Sequence, residues 1–295
     1  MALARTSMDK KISLSVVIPA YNEEGGIQDL IGGLHRCLHQ AGFQRGSDYE
    51  VLVVDDGSDD RTAAIAQLAA DRVVRHPCNR GYGKALQTGF DQARFDWVAT
   101  IDGDGSYPPQ ELLKLLPYAP DFDMVIGARQ GSLFWGTPLR AFLRWVQLAL
   151  SKFVAGVRIP DPNSGLRLVR KTAQQIHMPI RCYGYSFSTT ITLSFIQEAL
   201  PVKFVPIEFR ARVGRSKVRV LRDMLRMLQL MLEIILYFNP LKFCVVLSLL
   251  PLILSVCFAL GGRLIASLLA GIAALFVFLC GCLLDSIRLF SSRRS

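Results

Sequence analysis

Residues 14–26 read LSVVIPAYNEEGG and residues 51–62 read VLVVDDGSDDRT. Each begins as a short run of β-branched and aliphatic residues and then breaks into polar, turn-forming and mostly acidic sequence. Uninterrupted apolar runs of this length suit strands covered on both faces. Outward from them the same alternation continues, with helix-like segments at 27–40, 61–70 and 82–94, an apolar run at Val73, and WVATI at 97–101. Strands alternating with helices predict an α/β fold, with helices packed around a mostly parallel sheet. Open sheets of that kind carry their ligands in the loops at the carboxyl ends of the strands. The expected functional edge is therefore made by residues 19–26, 55–62 and DGDGSYPP at 102–109.

Past Arg129 the pattern predicts a helix over 138–156, a turn at DPNSG (161–165), a strand over 166–169, a helix near 188–200 and a strand over 202–207. From Ser216 onward, Arg219, Arg222, Arg226, Gln229 and Glu233 recur at helical steps among aliphatic residues. That spacing predicts one amphipathic helix with a narrow, mainly basic stripe, lying at a membrane interface. Leu241 to Leu260 and Leu264 to Leu284 follow, each about 20 residues and so about 30 Å as helix, which is the hydrocarbon thickness of a bilayer. Pro251 is tolerable inside the first span, and Asp285 falls at the exit of the second. Basic flanks at Arg219 to Lys242 and at Arg288, Arg293 and Arg294 outweigh the single Arg263 of the connecting turn. Both termini are accordingly expected on the cytoplasmic side. The first apolar run, Leu14 to Ile18, is too short for a secretory signal, so the N-terminal domain is expected to stay cytosolic.

Composition agrees with a membrane protein. Of 295 residues, 51% are hydrophobic, and the mean hydropathy of +0.31 exceeds what a soluble protein usually needs. The net charge of +10 is unevenly placed: residues 1–127 carry 12 basic and 18 acidic side chains, a net −6, against 22 and 6, a net +16, in residues 128–295. Because the basic residues crowd towards the apolar segments, they fit an anionic membrane surface or a phosphorylated lipid, and no nucleic-acid-binding module is recognisable. Cys37, Cys78, Cys182, Cys244, Cys257, Cys280 and Cys282 show no metal-ligand spacing and read as reduced thiols. His35 and His39 lie one helical turn apart without an acidic or cysteine partner, so no zinc site is expected.

Asp102 and Asp104 form an Asp-Gly-Asp just after an apolar strand. Carboxylate oxygens suit Mg2+ or Mn2+, and the glycine permits a tight turn between them. An isolated Asp-x-Asp is more often a surface turn; here a second acidic loop, Asp55 and Asp56, ends a neighbouring strand.

At this level the motifs VVIPAYNEEGG (16–26), VVDDGSDDRT (53–62), NRGYGKALQTG (79–89), IDGDGSYPP (101–109) and IGARQG (126–131) resemble, in order and spacing, glycosyltransferase family 2. The resemblance implies the GT-A fold and a nucleotide-sugar donor. Pro19, Tyr21, Glu23 and Asp55 match the positions that hold base and ribose, and Asp102 and Asp104 match the metal-binding pair. DPNSGLRLVRK (161–171), YSFSTTITL (185–193) and FRARVGRSKVR (209–219), followed by two spans, are similar to the polyprenyl-phosphate glycosyltransferases, dolichyl-phosphate mannose synthases among them. Together the matches cover nearly the whole chain. They imply a GT-A domain over 1–215, a juxtamembrane amphipathic helix over 216–240, and a two-helix transmembrane hairpin with a short tail over 241–295.

By that similarity Asp161 sits beside the reacting acceptor, and Arg129, Arg212, Ser216 and Lys217 bind the lipid phosphate. The segment from Lys203 to Arg226, with 8 basic and 2 acidic residues, supports this independently. A phosphate monoester has a second pKa of about 6 and is largely a dianion at neutral pH, so it barely needs a general base. Asp161 is therefore expected mainly to orient the acceptor or a cation, its alternative role being to cap the DPNSG turn. A single in-line displacement with inversion is favoured over a covalent glycosyl-enzyme. Two departures from the family pattern bear on the metal: Ser106 replaces a common Gln, and Gly105 a bulkier residue. Arg140 and Arg144 are alternatives for a further family arginine.

Competing motifs fail. Arg144-Trp145 resembles the ending of processive polysaccharide synthases, yet residue 141 is Ala and the pair precedes Asp161. GYGKAL (81–86) lacks the third glycine of a dinucleotide fingerprint and the spacing of a P-loop. A lipid or glycan acceptor of another kind, and an inactive membrane scaffold, stand as alternatives; the intact Asp55, Asp102, Asp104 and Asp161 speak against the scaffold. The sequence leaves the choice between uridine and guanosine donors open, and small residues such as Gly271, Ala273 and Ala274 make homo-oligomeric packing of the spans plausible.

Overall fold

The structure, a computed structural model, describes residues 12–135, 138–177, 187–211, 229 and 231–292. The chain divides into two compact units, Met1–Met227 and Leu228–Ser295.

In the first unit the strands are β1 (Leu14–Ala20), β2 (Tyr49–Asp55), β3 (Arg72–Arg75), β4 (Trp97–Thr100), β5 (Met124–Arg129), β6 (Arg167–Arg170) and β7 (Val202–Ile207). The helices are α1 (Ile27–Gln40), α2 (Thr62–Ala69), α3 (Tyr82–Gln92), α4 (Ser132–Trp135), α5 (Pro138–Ala155), α6 (Lys171–His177) and α7 (Phe187–Gln197). The strands form one sheet in the order β3-β2-β1-β4-β6-β5-β7. It is parallel except at β6, which runs antiparallel to both β4 and β5. The expected α/β fold with a mostly parallel sheet is observed.

Every residue of β1 and β2 is buried, as their unbroken apolar runs require. The two faces of the sheet carry separate cores. Leu14, Val16 and Ile18 of β1 pack with Ile27, Leu30, Ile31, Leu34 and Leu38 along one stripe of α1. Val17, Leu52 and Val54 point the other way, onto Leu86 and Phe90 of α3 and Phe187, Ile191 and Phe195 of α7. α3 lies close on β1 because position 89 is glycine: a Cβ there would stand 2.2 Å from Val17 Cγ1.

β5 was not anticipated as a strand, since MVIGAR read as a motif rather than an apolar run. β6 lies one residue later than expected. Its antiparallel insertion has a functional result. Thr100 pairs with Arg167, and Ile126 pairs with the same residue, so the turn that precedes β6 emerges at the edge where β4 and β5 end.

In the second unit, α8 (described over 231–238) is followed by α9 (Pro240–Leu260) and α10 (Leu264–Ser292). Pro240–Leu260 and Leu264–Ile287, with mean hydropathies of 2.7 and 2.5, are long and apolar enough to cross a membrane. α10 runs beyond the expected end at Leu284. α9 and α10 touch closely where Gly281 faces Cys244, a Cβ at 281 falling 2.5 Å from Cys244 Cβ. Ser255 also donates to the Ser267 carbonyl over 2.8 Å. Most of the expected 216–240 amphipathic helix lies outside the described residues.

Candidate functional site

The loops after β1 and β2 are stitched together. Asn22, in the left-handed region at φ 53°, donates its amide to Ser58 Oγ (2.9 Å) and accepts from the Asp59 amide through Oδ1 (2.9 Å). The Glu23 amide donates to Thr62 Oγ1 (2.8 Å), and the Arg61 amide to Glu24 Oε2 (3.2 Å). Pro19, Tyr21, Glu23 and Asp55 are thereby brought to one edge. Asp55 is fully buried. Its Oδ1 accepts from the Ser58 amide (3.2 Å). Arg75 Nε stands 3.1 Å from Oδ2, yet Oδ2 receives no aligned hydrogen bond. Oδ2 is thus ion-paired but still able to accept a hydrogen bond from a ligand N–H or hydroxyl.

Asp56 does a different job. Its carboxylate accepts from the amides of Arg80 (3.0 Å) and Gly81 (2.8 Å) and from His76 Nδ1 (2.6 Å), whose Nε2 lies 3.0 Å from Thr88 Oγ1. This network fixes the entry to α3, where Gly81 adopts φ 98°.

Register places the acidic loop beside the first two. Val17 pairs with Thr100, so Asp102 is level with Pro19, and a Cβ on Gly103 would come within 3.2 Å of the Pro19 carbonyl oxygen. Asp104 Oδ1 accepts from the Ser106 amide (3.0 Å), a contact that needs no particular side chain at 106. Asp102 Oδ1 accepts from the Tyr82 hydroxyl (2.8 Å). Burial, and then the neighbouring Asp104 charge, push the Asp102 carboxyl up to about 6. Two mutually repelling carboxylates, one desolvated, form a hard oxygen donor set that fits a divalent cation. Among the described residues no cluster of three His, Cys, Asp or Glu side chains exists; one or two carboxylates completed by substrate phosphates is how Mg2+ is commonly held.

Gly165 closes against this loop. A Cβ there would lie 2.2 Å from Asp102 Oδ2. Its amide donates to the Tyr107 hydroxyl (2.8 Å), and its carbonyl accepts from Thr100 Oγ1 (2.8 Å). Burial raises the Tyr107 phenol to about 12, so it stays protonated.

Asp161, at the start of the same turn, is buried and bound by Arg129 in a fork: Nε to Oδ2 at 2.7 Å, Nη2 to Oδ1 at 2.9 Å. It also accepts from the Asn163 amide (3.2 Å), which is the turn-capping contact. Burial opposes the charge on Arg129, but the Asp161 carboxylate forked on it outweighs this and raises the guanidinium above its ordinary value. The Arg129 guanidinium also lies over the rings of Phe134 and Phe209, and the Arg144 guanidinium lies over the same Phe134 ring, 4.1 Å from its centroid. Arg140's side chain, and Arg212, Ser216 and Lys217 entirely, lie outside the described residues.

Three contributors escaped the sequence. Arg167, buried, donates to the carbonyls of Ser164 (2.7 Å) and Pro162 (2.7 Å) and to Thr192 Oγ1 (2.8 Å), holding the turn from beneath. Burial lowers it to about 10, and it remains a cation at neutral pH. Tyr107 and Tyr82 are the others. Only the Arg in an otherwise apolar LRLV strand was a visible signal.

The family model for glycosyl transferase family 2 matches residues 15–171. The chain belongs to that family. Among curated relatives, it is 33% identical over 232 residues to undecaprenyl-phosphate 4-deoxy-4-formamido-L-arabinose transferase of Pseudomonas aeruginosa, covering 75% of this chain and 64% of that protein. The chain thus spans less than two thirds of that relative's length. It is 33% identical to polyprenol monophosphomannose synthase of Mycolicibacterium smegmatis, covering 69% of this chain and 80% of that protein. Among solved structures, glucosyl-3-phosphoglycerate synthase of Mycobacterium tuberculosis, in complex with Mn2+, UDP-glucose and phosphoglyceric acid, superposes with a TM-score of 0.62 at 21% identity. That match covers 76% of this chain and 79% of the other; it establishes the shared GT-A fold.

Proposed function

We propose that this family 2 protein transfers a hexose, with inversion, from a UDP- or GDP-sugar to a membrane polyprenyl phosphate. The observation that carries the reading is the convergence of three loops on one edge, which sets the Asp102–Asp104 pair beside the Arg129–Asp161 pair across Gly165. The two polyprenyl-phosphate sugar transferases among its relatives supply the acceptor class.

Asp55, whose Oδ2 is ion-paired to Arg75 without an aligned hydrogen bond, takes an N–H or hydroxyl of the nucleoside, and Pro19, Tyr21 and Glu23 complete that pocket. Asp102 and Asp104 hold Mg2+ or Mn2+, which when bound neutralises the diphosphate leaving group. Asp161 is locked to Arg129 through both oxygens, a geometry suited to orienting charge and ill suited to taking a proton. The acceptor phosphate, largely dianionic at neutral pH, attacks without that help. Arg129 contributes positive charge there, and Arg212, Ser216 and Lys217 extend it towards the lipid. The amphipathic segment over 216–240 lies at the bilayer surface, and α9 and α10 cross it, both termini being cytoplasmic. In this reading residues 1–215 are the catalytic domain and 241–295 the anchor, which can also pack against a second copy.

The test incubates membranes holding the protein with labelled UDP- and GDP-sugars and polyprenyl phosphate, with and without Mn2+. Metal-dependent formation of an acid-labile lipid-linked sugar of inverted configuration is expected. Transfer only to diacylglycerol or a glycan overturns the acceptor; retained configuration overturns the displacement; no transfer with any donor favours a scaffold.

A further inference from the structure

Tyr82 opens α3 and has none of the nucleotide, acceptor or metal roles assigned above, yet its hydroxyl ends on the acidic loop, donating to Asp102 Oδ1 over 2.8 Å. Its backbone is aimed from behind. Asp56 accepts from the amides of both preceding residues, Arg80 and Gly81. His76 ties Asp56 to Thr88, one helical stretch further along α3. Gly89 seats the helix on β1. Gly165 crowds the same carboxylate, near enough that a Cβ would meet Asp102 Oδ2, Cγ and Oδ1 at 2.2, 2.4 and 2.4 Å. The Asp102 carboxyl group is thus tied to a phenol and packed against the Gly165 backbone.

We infer that Tyr82 is the positioning residue that presents Asp102 to the divalent cation, by fixing the rotation of its carboxyl group and satisfying the oxygen that faces α3. This rests on the reading of Asp102 and Asp104 as the cation's ligands. Hydrogen bonds to ligating carboxylates orient them, and losing such a partner typically costs about 10–100-fold in metal affinity or activity. The arrangement also joins two parts of the site. Asp56 follows the nucleoside-facing Asp55 directly, so the end of β2 positions, through residues 80–82, the ligand at the end of β4.

The test uses the full-length protein in detergent with saturating UDP or GDP, whose phosphates complete the coordination, and Mn2+ as probe, following free Mn2+ by its electron paramagnetic resonance signal against a protein-free control. Tyr82→Phe removes one hydroxyl. It is expected to weaken Mn2+ binding on the order of 10-fold and to raise by a similar factor the Mn2+ concentration that half-activates transfer. The maximal rate should return at saturating Mn2+, which a general structural defect would not allow. A second readout does not depend on the variant folding: Mn2+ added to the wild-type protein should give a tyrosine ultraviolet difference spectrum that saturates with the binding isotherm. Wild-type affinity in Tyr82→Phe, or no tyrosine signal on Mn2+ binding, overturns the inference and leaves the carboxylate reading standing. Failure of wild-type protein to bind Mn2+ any better than Asp102→Asn overturns both.

Discussion

Replacing Gly165 by Ala adds one methyl group at the point where the 161–165 turn meets the acidic loop. The new Cβ would fall 2.2 Å from Asp102 Oδ2 and 2.4 Å from Cγ and Oδ1. Close carbon–oxygen contacts are about 3.3 Å, so the two groups must separate by roughly 1 Å. Gly165 is pinned through its amide to Tyr107 and through its carbonyl to Thr100. The Asp102 carboxyl group is tied to Tyr82, so it must break that bond to retreat. Overpacking of this kind costs about 1–3 kcal/mol, a fall of several degrees in melting temperature for a domain of about 200 residues. A misplacement of about 1 Å in a reacting centre costs on the order of 100-fold in rate. Gly165→Ala should therefore lose about two orders of magnitude in kcat, at saturating donor, acceptor and Mn2+, while still folding. The two measurements are transfer of labelled sugar and thermal unfolding followed by circular dichroism. Activity within a factor of two of wild type in a folded variant would refute the steric coupling of turn and loop.

Two further outcomes follow from the charges. The Asp102 carboxyl, moved from 3.8 to about 6 by burial and Asp104, binds its proton more tightly folded than unfolded. The metal-free protein therefore loses stability from this group as pH rises from about 4 to about 6, and its Mn2+ affinity falls as pH drops through about 6. Thermal unfolding in EDTA across that range, compared with Asp102→Asn, should show the slope reduced in the variant. At the other pair, Asp161→Ala leaves the buried Arg129 uncompensated and Arg129→Met does the same to Asp161, each costing about 3–5 kcal/mol. Asp161→Asn combined with Arg129→Met should cost less than the sum of its single changes in denaturant unfolding. Transfer by Asp161→Asn should not be restored by raising the pH; full recovery at alkaline pH would make Asp161 a base.

β1, β2 and β4 were legible because their apolar runs are buried on both faces, and α1 because it carries one apolar stripe; β3, half-exposed at the sheet edge, showed only as the short run at Val73. β7 was legible as a β-branched and aromatic run although only Val205 and Ile207 are buried, and α9 and α10 were legible from their length and hydropathy. β5 and β6 were harder. Gly127 and Arg129 interrupt the apolar pattern of the first, and Arg167 and Arg170 flank two aliphatic residues in the second. A short strand of that kind acquires its identity from its neighbours on either side. The carboxylates were visible as residues, and their loops as loops. What the sequence did not show was pairing across register: the Arg129–Asp161 fork spans 32 positions, and Tyr82–Asp102 spans 20. Tyr82 lies within the NRGYGKALQTG motif (79–89), but nothing in that motif indicates a bond to Asp102. Arg129, expected on the lipid phosphate, is also forked on Asp161, a partnership the sequence did not indicate.

The hydrogen bonds that lace residues 19–26 to residues 55–62 bear on how such an enzyme could be re-engineered. Asn22, Glu23 and Glu24 each find their partners in the other loop, so neither segment has an independent shape to donate. A chimera that imports one loop from a relative with another nucleotide preference would inherit mismatched halves of a single seam. On the proposed assignment of the nucleoside to these loops, exchange of nucleotide preference has to move both strand ends together, as one graft.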